Sequence, residues 1–230
     1  MKKLLFTVLA MLLMAACAKD ETLVWNEQDM VFISGTTMTT DNGLVFKVVE
    51  DVSRAGWTEW KRAYIVCDVL RKISGAEYEI RLTEARQVLL KEAVAVGELA
   101  DEDLGDDPID IVHGWVAGGC LNLMTYIAFD PKSDQPHFIN LVSLGEKDGV
   151  LRFRLHHNSY GCYLGAPDVE PGSLTLGSSL VSFPVDRFLP AGVDAADAEI
   201  TWKWHIPSEG GPLLPETEEK SARIVLRRGK

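Results

Sequence analysis

The sequence predicts an all-β protein built in two parts, and three observations carry that prediction. Between Met30 and Thr83, apolar residues alternate with polar ones in short runs parted by turn signals. From Cys120 onward, runs of the same kind recur between Pro- and Gly-bearing stretches, with no helical pattern, as a β-sandwich requires. Between the two regions, Gly97 to Asp110 holds Glu98, Asp101, Glu102, Asp103, Asp106, Asp107 and Asp110 and no Lys or Arg, which marks a boundary.

Taken in order, the chain opens with Lys2 and Lys3 and continues as an apolar run, Leu4 to Ala16, broken only by Thr7. That run suits a secretory signal and is shorter than the ~20 residues that span a bilayer, so residues 1–16 are expected to be cleaved. The end of the run, Leu13-Met14-Ala15-Ala16-Cys17, resembles the lipobox of bacterial lipoproteins, which implies that Cys17 is acylated and begins the mature protein. Lys19-Asp20-Glu21 resembles the export signal of surface-displayed lipoproteins in some Gram-negative bacteria; an ordinary polar tether is the other reading of the same residues. Residues 17–29 are expected to be that lipid-anchored tether, since Ala18 to Gln28 is polar and aperiodic.

From Met30 to Thr40 the chain is rich in Val, Ile and Thr; Asp41-Asn42-Gly43 is a turn signal, and Leu44 to Val52 alternates, with Leu44, Phe46 and Val48 on one face. After a Gly-bearing loop (Ser53 to Glu59), Trp60 to Leu70 is apolar on both sides and reads as a central strand. Ser74-Gly75 leads to Ala76–Thr83, where Tyr78, Ile80 and Leu82 alternate with Glu77, Glu79 and Arg81. Arg86 to Val96 fits a helix as well as a strand. Beyond the acidic stretch, Cys120–Phe129, His137–Leu144 and Val150–His157 read as strands, the last two forming a hairpin across Gly145–Gly149; Leu180–Val185, Glu199–Ile206 and Ala222–Arg228 follow.

Composition narrows the function. Residues 17–230 carry 21 Lys and Arg against 34 Asp and Glu, a net charge of -13, which disfavours nucleic acid as a partner. With 47% hydrophobic residues the chain has material for packed cores. Cys67, Cys120 and Cys162 are odd in number and far apart, so at most one disulfide can form, and buried free thiols are the plainer reading.

No constellation announces chemistry. Trp202 and Trp204 could form a sugar platform, but they share a strand face with Ile200 and Ile206, which points both rings into the core. Trp57 and Trp60 lie in or beside a loop, where aromatic rings can be exposed. His156 and His157 face opposite sides of a strand, with no partner at a metal-ligand spacing; one of them is expected to be a satisfied buried histidine. The acids of Gly97–Asp110 lack the alternating oxygen positions of a calcium loop. The nucleophile motifs Gly-x-Ser-x-Gly and Ser-x-x-Lys and the zinc motif His-Glu-x-x-His are absent from the sequence.

Asp106-Asp107-Pro108-Ile109, Trp115, Gly118-Gly119-Cys120-Leu121-Asn122, His137-Phe138-Ile139-Asn140-Leu141 and Arg154-Leu155-His156-His157-Asn158 together resemble the NigD-like lipoproteins. The resemblance runs from about Met30 to the last strand, with Tyr64–Leu70 and Tyr78–Leu82 similar to the N-terminal half. Cys120 departs from the aromatic residue that the family pattern suggests after the paired glycines. The resemblance implies an OB-like β-barrel over residues 30–97 and an antiparallel β-sandwich over 107–230, and the acidic residues between them, 98–106, read from their charge as a solvated linker. The family is named from a bacteriocin operon in which such a protein is the candidate immunity factor, and no catalytic residues come with it. The expectation is an outer-membrane, surface-exposed lipoprotein, held in the membrane by acylated Cys17, that binds a protein toxin or a surface glycan non-covalently. No cofactor, metal, nucleic acid or enzymatic activity is expected; a glycan- or nutrient-binding accessory or a structural lipoprotein is the alternative.

Overall fold

Alternating strands whose apolar face has no second sheet to pack on can bury it by closing on themselves, and the first part of the chain does so. The computed structural model describes residues 25–170, 172–207 and 213–229; the expected signal peptide, Cys17, Lys19, Asp20 and Glu21 lie outside the described residues. Strands β1 (Trp25–Ser34), β2 (Thr37–Thr40), β3 (Val45–Asp51), β4 (Arg62–Ser74) and β5 (Glu77–Gln87) form a closed barrel in the order β1-β2-β3-β5-β4. Val31, Met38, Phe46, Ala63, Ile65, Cys67, Val69, Ile80 and Leu82 fill its interior. On β4 the alternate residues Tyr64, Val66 and Asp68 are half-buried on the outside, so the two-sided apolar run is the wall of a small barrel. A 3-10 turn, Trp57–Glu59, packs Trp57 onto the barrel core, and the indole Nε1 donates to Asp51 at 2.8 Å. Trp60 also packs against that core.

Two expectations are corrected here. Trp25 to Asp29, assigned to the tether, form the first half of β1: Trp25 lies opposite Val69 and meets the Tyr78 ring edge-on at 5.7 Å. Their outward polar partners, Asn26 and Gln28, conceal the strand in the sequence. The segment from Arg86 to Val96 is neither a helix nor one strand. β5 runs to Gln87, and two short strands follow, β6 (Leu89–Leu90) and β7 (Val94–Ala95), which join different sheets of the sandwich.

The sandwich comprises β8 (Asp110–Ala117), β9 (Cys120–Phe129), β10 (Phe138–Lys147), β11 (Val150–Asn158), β12 (Thr175–Pro184), β13 (Ala195–Pro207) and β14 (Leu213–Arg227), with β6 and β7 at its edges. Sheet order is β14-β13-β11-β10-β7 in one layer and β6-β12-β9-β8 in the other, enclosing Leu121, Leu123, Leu141, Phe153, Phe183 and Trp204 among others. The chain therefore enters both sheets before the acidic stretch, and the sandwich starts at Leu89 rather than after Asp106. Nor is the stretch a solvated linker: it holds a short helix α1 (Asp101–Leu104) with Leu104 buried, and Asp106 bridges Arg154 at 2.7 Å and Lys203 at 2.9 Å. These bases come from strands 48 and 97 residues away, a pairing that no local pattern reveals. β14 extends far before the expected Ala222 because Glu216, Glu218, Glu219 and Lys220 mask its first half.

Barrel and sandwich meet on a buried arginine. Arg62, wholly buried at the start of β4, donates to both Asp41 carboxylate oxygens (2.9 and 2.8 Å), to Ser182 Oγ (2.8 Å) and to Asn122 Oδ1 (3.0 Å), and its guanidinium lies 4.2 Å from the Phe32 ring centroid. Asp41 and Phe32 belong to the barrel, Ser182 and Asn122 to the sandwich. Gly118, at φ +59°, admits this contact, since a Cβ there would stand 2.4 Å from Asp41 Oδ1.

A second anchor is His157 on β11, with no exposure, whose Nδ1 is 2.9 Å from the Pro108 carbonyl; on its other side His156 Nδ1 is 2.8 Å from the Gly105 carbonyl. The adjacent histidines thus hold the segment after α1 from opposite faces. Asn158 continues the anchorage, with Nδ2 donating to the Glu102 carbonyl and Oδ1 accepting from Tyr160 N–H.

Two outcomes are expected. Arg62→Met strands the Asp41 carboxylate in a dry interface and should cost about 3–5 kcal/mol; urea unfolding should show it, with the single transition separating into barrel and sandwich steps. For His157, burial and then the neighbouring His137 hold the imidazole down at about 4, below its ordinary 6.5. Above pH 6.5 neither state is charged; as pH falls from 6.5 to 4 the unfolded chain takes a proton that the fold excludes, so stability is lost across that window, on the order of 3 kcal/mol at most. Melting curves from pH 7 to 4.5 should therefore fall more steeply for the native chain than for His157→Gln.

Candidate functional site

The sandwich edge nearest the barrel carries two adjoining hollows. They flank Leu89, on the short edge strand β6, and share Leu89 and Ser179 as walls. The first, of about 470 Å³, lies where the end of β5 approaches the outer face of β9 and β12; Arg86, Met124, Ser178 and Leu180 line it. Strand pairing explains the surface: Met124 stands opposite Leu180 and His113, and Tyr126 opposite Ser178, on the face turned away from the sandwich core. Leu89, Met124, Tyr126 and Leu176 remain exposed there.

The second hollow, of about 320 Å³, combines an apolar floor of Leu89, Ile127 and Phe129 with Asp130, Gln135 and His137 from the loop before β10. Two of these groups are fixed from behind. A Cβ on Gly177, in β12, would stand 2.7 Å from a Phe129 ring carbon, so the missing side chain lets that ring lie against the strand. His137 Nδ1 is 3.1 Å from His157 Nε2. The Pro108 carbonyl can only accept, so His157 carries its proton on Nδ1; kept neutral by burial, it accepts at Nε2, and His137 must donate from Nδ1. Burial also lowers the His137 imidazole, against a smaller upward pull from Asp107, so at neutral pH the free Nε2 of His137 is a hydrogen-bond acceptor. The carboxylate of Asp130 accepts from Lys132 N–H at 2.8 Å, and its own N–H donates to Cys162 Sγ at 3.2 Å.

The other candidates are structural. Trp202 and Trp204 are 6% and 4% exposed and sit in the core, Trp202 Nε1 donating to Asp110 at 3.1 Å, so they form no platform. His205, which strict alternation along β13 would turn outward with Lys203, is buried edge-on against Trp204 next to a register shift. None of Cys67, Cys120 and Cys162 is in a disulfide; burial pushes the first two thiols up to about 12 and about 11, which makes them inert. Among the described residues no three His, Cys, Asp or Glu side chains are grouped to hold a metal ion. Ser159 Oγ donates straight to Asp107 at 2.6 Å, without an imidazole between them. A third hollow, about 380 Å³ beside Gly118 and Gly119, has Arg227 and Arg228 on its rim, but the Arg228 guanidinium is engaged by the carbonyls of Asp186, Pro190 and Val193 and fastens the end of the chain.

Sequence reasoning missed Arg62, Phe129, His137 and Gly177. Two local signals point to His137: it opens one of the motifs shared with the NigD-like lipoproteins, and Pro131 and Pro136 mark a rigid surface loop immediately before it.

Solved structures share this architecture. A protein of unknown function, DUF1344, from Bacteroides vulgatus is 18% identical with a TM-score of 0.63, covering 87% of this chain and 90% of its own. A NigD-like immunity protein from Bacteroides caccae gives 16% and 0.58, covering 86% and 91%. A candidate lipoprotein from Bacteroides fragilis gives 15% and 0.59, covering 90% and 100%. At these identities the likeness is one of fold. No curated protein matches the chain. The NigD-like C-terminal beta sandwich domain matches residues 92–210, more than half of the chain and the segment that carries β7 to β13. The chain therefore belongs to the NigD-like family.

Proposed function

We propose that this protein is a lipoprotein of the outer membrane, anchored through acylated Cys17 and displayed at the cell surface, which acts by non-covalent binding of the bacteriocin-immunity type and without catalysis. The observation that carries the reading is the pair of hollows beside Leu89, where exposed apolar side chains and free polar groups converge at one edge of the fold. Membership of the NigD-like family, and the immunity protein and candidate lipoprotein among the similar structures, support the same reading. Leu13-Met14-Ala15-Ala16-Cys17 supports the anchor and Lys19-Asp20-Glu21 the display. Binding without chemistry fits the hollows: His137 is an acceptor with no serine or cysteine hydrogen-bonded to an imidazole among the described residues. A protein toxin is the partner that the immunity reading names. The glycan- or nutrient-binding reading has its own support in the second hollow, whose apolar floor with one aromatic ring and hydrogen-bonding rim without a cationic side chain suit a sugar better than a protein side chain.

Protease shaving of intact cells should cleave the native protein, and Cys17→Ser should leave it uncleaved or soluble on fractionation; protection until the outer membrane is broken would place the protein on the periplasmic side. Expression in a bacteriocin-sensitive strain should raise tolerance if the partner is a toxin.

A further inference from the structure

We infer that the hollow between Phe129 and His137 is a binding site for the ring of a neutral sugar, a free monosaccharide or the end of a glycan chain. The inference rests on the binding reading above and names the ligand class of one of its two hollows.

Three features select this chemistry. The first is shape and polarity: about 320 Å³, within the ~300–1,000 Å³ range of small-molecule sites, lined by an aromatic ring and three aliphatic side chains and by a carboxylate, an amide, an imidazole and two hydroxyls. A pyranose has that character, with an apolar C–H face and hydroxyls around its edge that both donate and accept. The second is preorganisation. Gly177 gives the Phe129 ring its place, and buried His157 fixes both the orientation and the tautomer of His137, so neither group must be ordered when ligand arrives. The third is charge. A neutral His137 offers a lone pair at Nε2 and Asp130 offers carboxylate oxygen, two acceptors that match hydroxyl donors, whereas Gln135 supplies both a donor and an acceptor. An anion would meet the Asp130 carboxylate with no cationic side chain among the residues lining the hollow. A metal ion would find His137 and Asp130 without a third ligand of the His, Cys, Asp or Glu class among the described residues.

The test uses the full chain, purified in a detergent without a sugar headgroup and labelled with 15N at histidine. Glucose, galactose, mannose, fucose, N-acetylglucosamine and N-acetylgalactosamine are each titrated to tens of millimolar. At least one sugar is expected to shift the His137 Nε2 resonance with a saturating curve. Phe129→Ala and His137→Ala, each shown by circular dichroism to keep the fold, should weaken its binding, measured by saturation-transfer difference, by about tenfold or more, the loss of one well-placed contact. His137→Asn, which keeps an acceptor, should retain more affinity than His137→Ala. The inference is overturned if none of the six sugars binds, if a sugar binds with equal affinity to both alanine variants, or if zinc chloride alone shifts the His137 resonance. A sugar result of either sign leaves the shaving and tolerance experiments to decide display and immunity separately.

Discussion

The arrangement of this molecule depends on one buried ion pair. Moving the Arg62 guanidinium and the Asp41 carboxylate out of water costs several kcal/mol per ion, which their attraction offsets only when geometry is good and the remaining donors are satisfied. Here Asp41 takes two N–H groups in a fork, Ser182 and Asn122 take two more, Ser182 Oγ in turn donates to Asn122 at 2.6 Å, and the Phe32 ring covers the guanidinium face. A lysine at this position could not reproduce the fork or the stacking. Because the partners come from both halves of the chain, losing any of them leaves the others unsatisfied where water is excluded, so the relation of barrel to sandwich is fixed as a unit.

Arg62 and its partner Ser182 also place the connecting segment. Val88 N–H donates to the carbonyl of Arg62 at 3.1 Å, and Lys91 N–H donates to the carbonyl of Ser182 at 3.0 Å. Leu89 lies between these two bonds, pinned at the edge of the sandwich by the backbones of Arg62 and of Ser182, whose hydroxyl accepts from the Arg62 guanidinium. Both hollows have Leu89 as a wall. The lock is therefore upstream of the candidate site: barrel, connection and edge strand are held in one geometry before any ligand contact is made.

What the sequence disclosed follows from the range of the interactions involved. Local alternation was enough to place Phe46, Ile80, Leu82, Trp202 and Trp204 inside, and Asp148-Gly149 marks the β10–β11 turn, where both residues have positive φ. The first half of β14 and the start of β1 were hidden because exposed strand faces follow solvent rather than a pattern. The acidic stretch has the look of a linker in the sequence because its counter-charges, Arg154, Arg187 and Lys203, are strands away. Arg62 was invisible for the same reason. An arginine beginning an apolar strand reads as an exposed end, and only the distant Asp41, Asn122 and Ser182 make it a core residue. The hollow of Phe129 and His137 likewise rests on Gly177 and Pro108, partners supplied by the fold.

His157 joins the two properties that matter here, stability and recognition. One ring nitrogen secures Pro108, and with it the segment between α1 and β8, whereas the other receives the proton of His137. A neutral imidazole can do both; a protonated one would turn its Nε2 into a donor facing the donor of His137, and the relay would break. Burial resists that protonation, which is why the pair persists at neutral pH. The desolvation that makes His157 a liability to folding in mild acid is thus what aims the lone pair of His137 at the hollow, and no substitution at position 157 that lacks both a donor and an acceptor can preserve the one without surrendering the other.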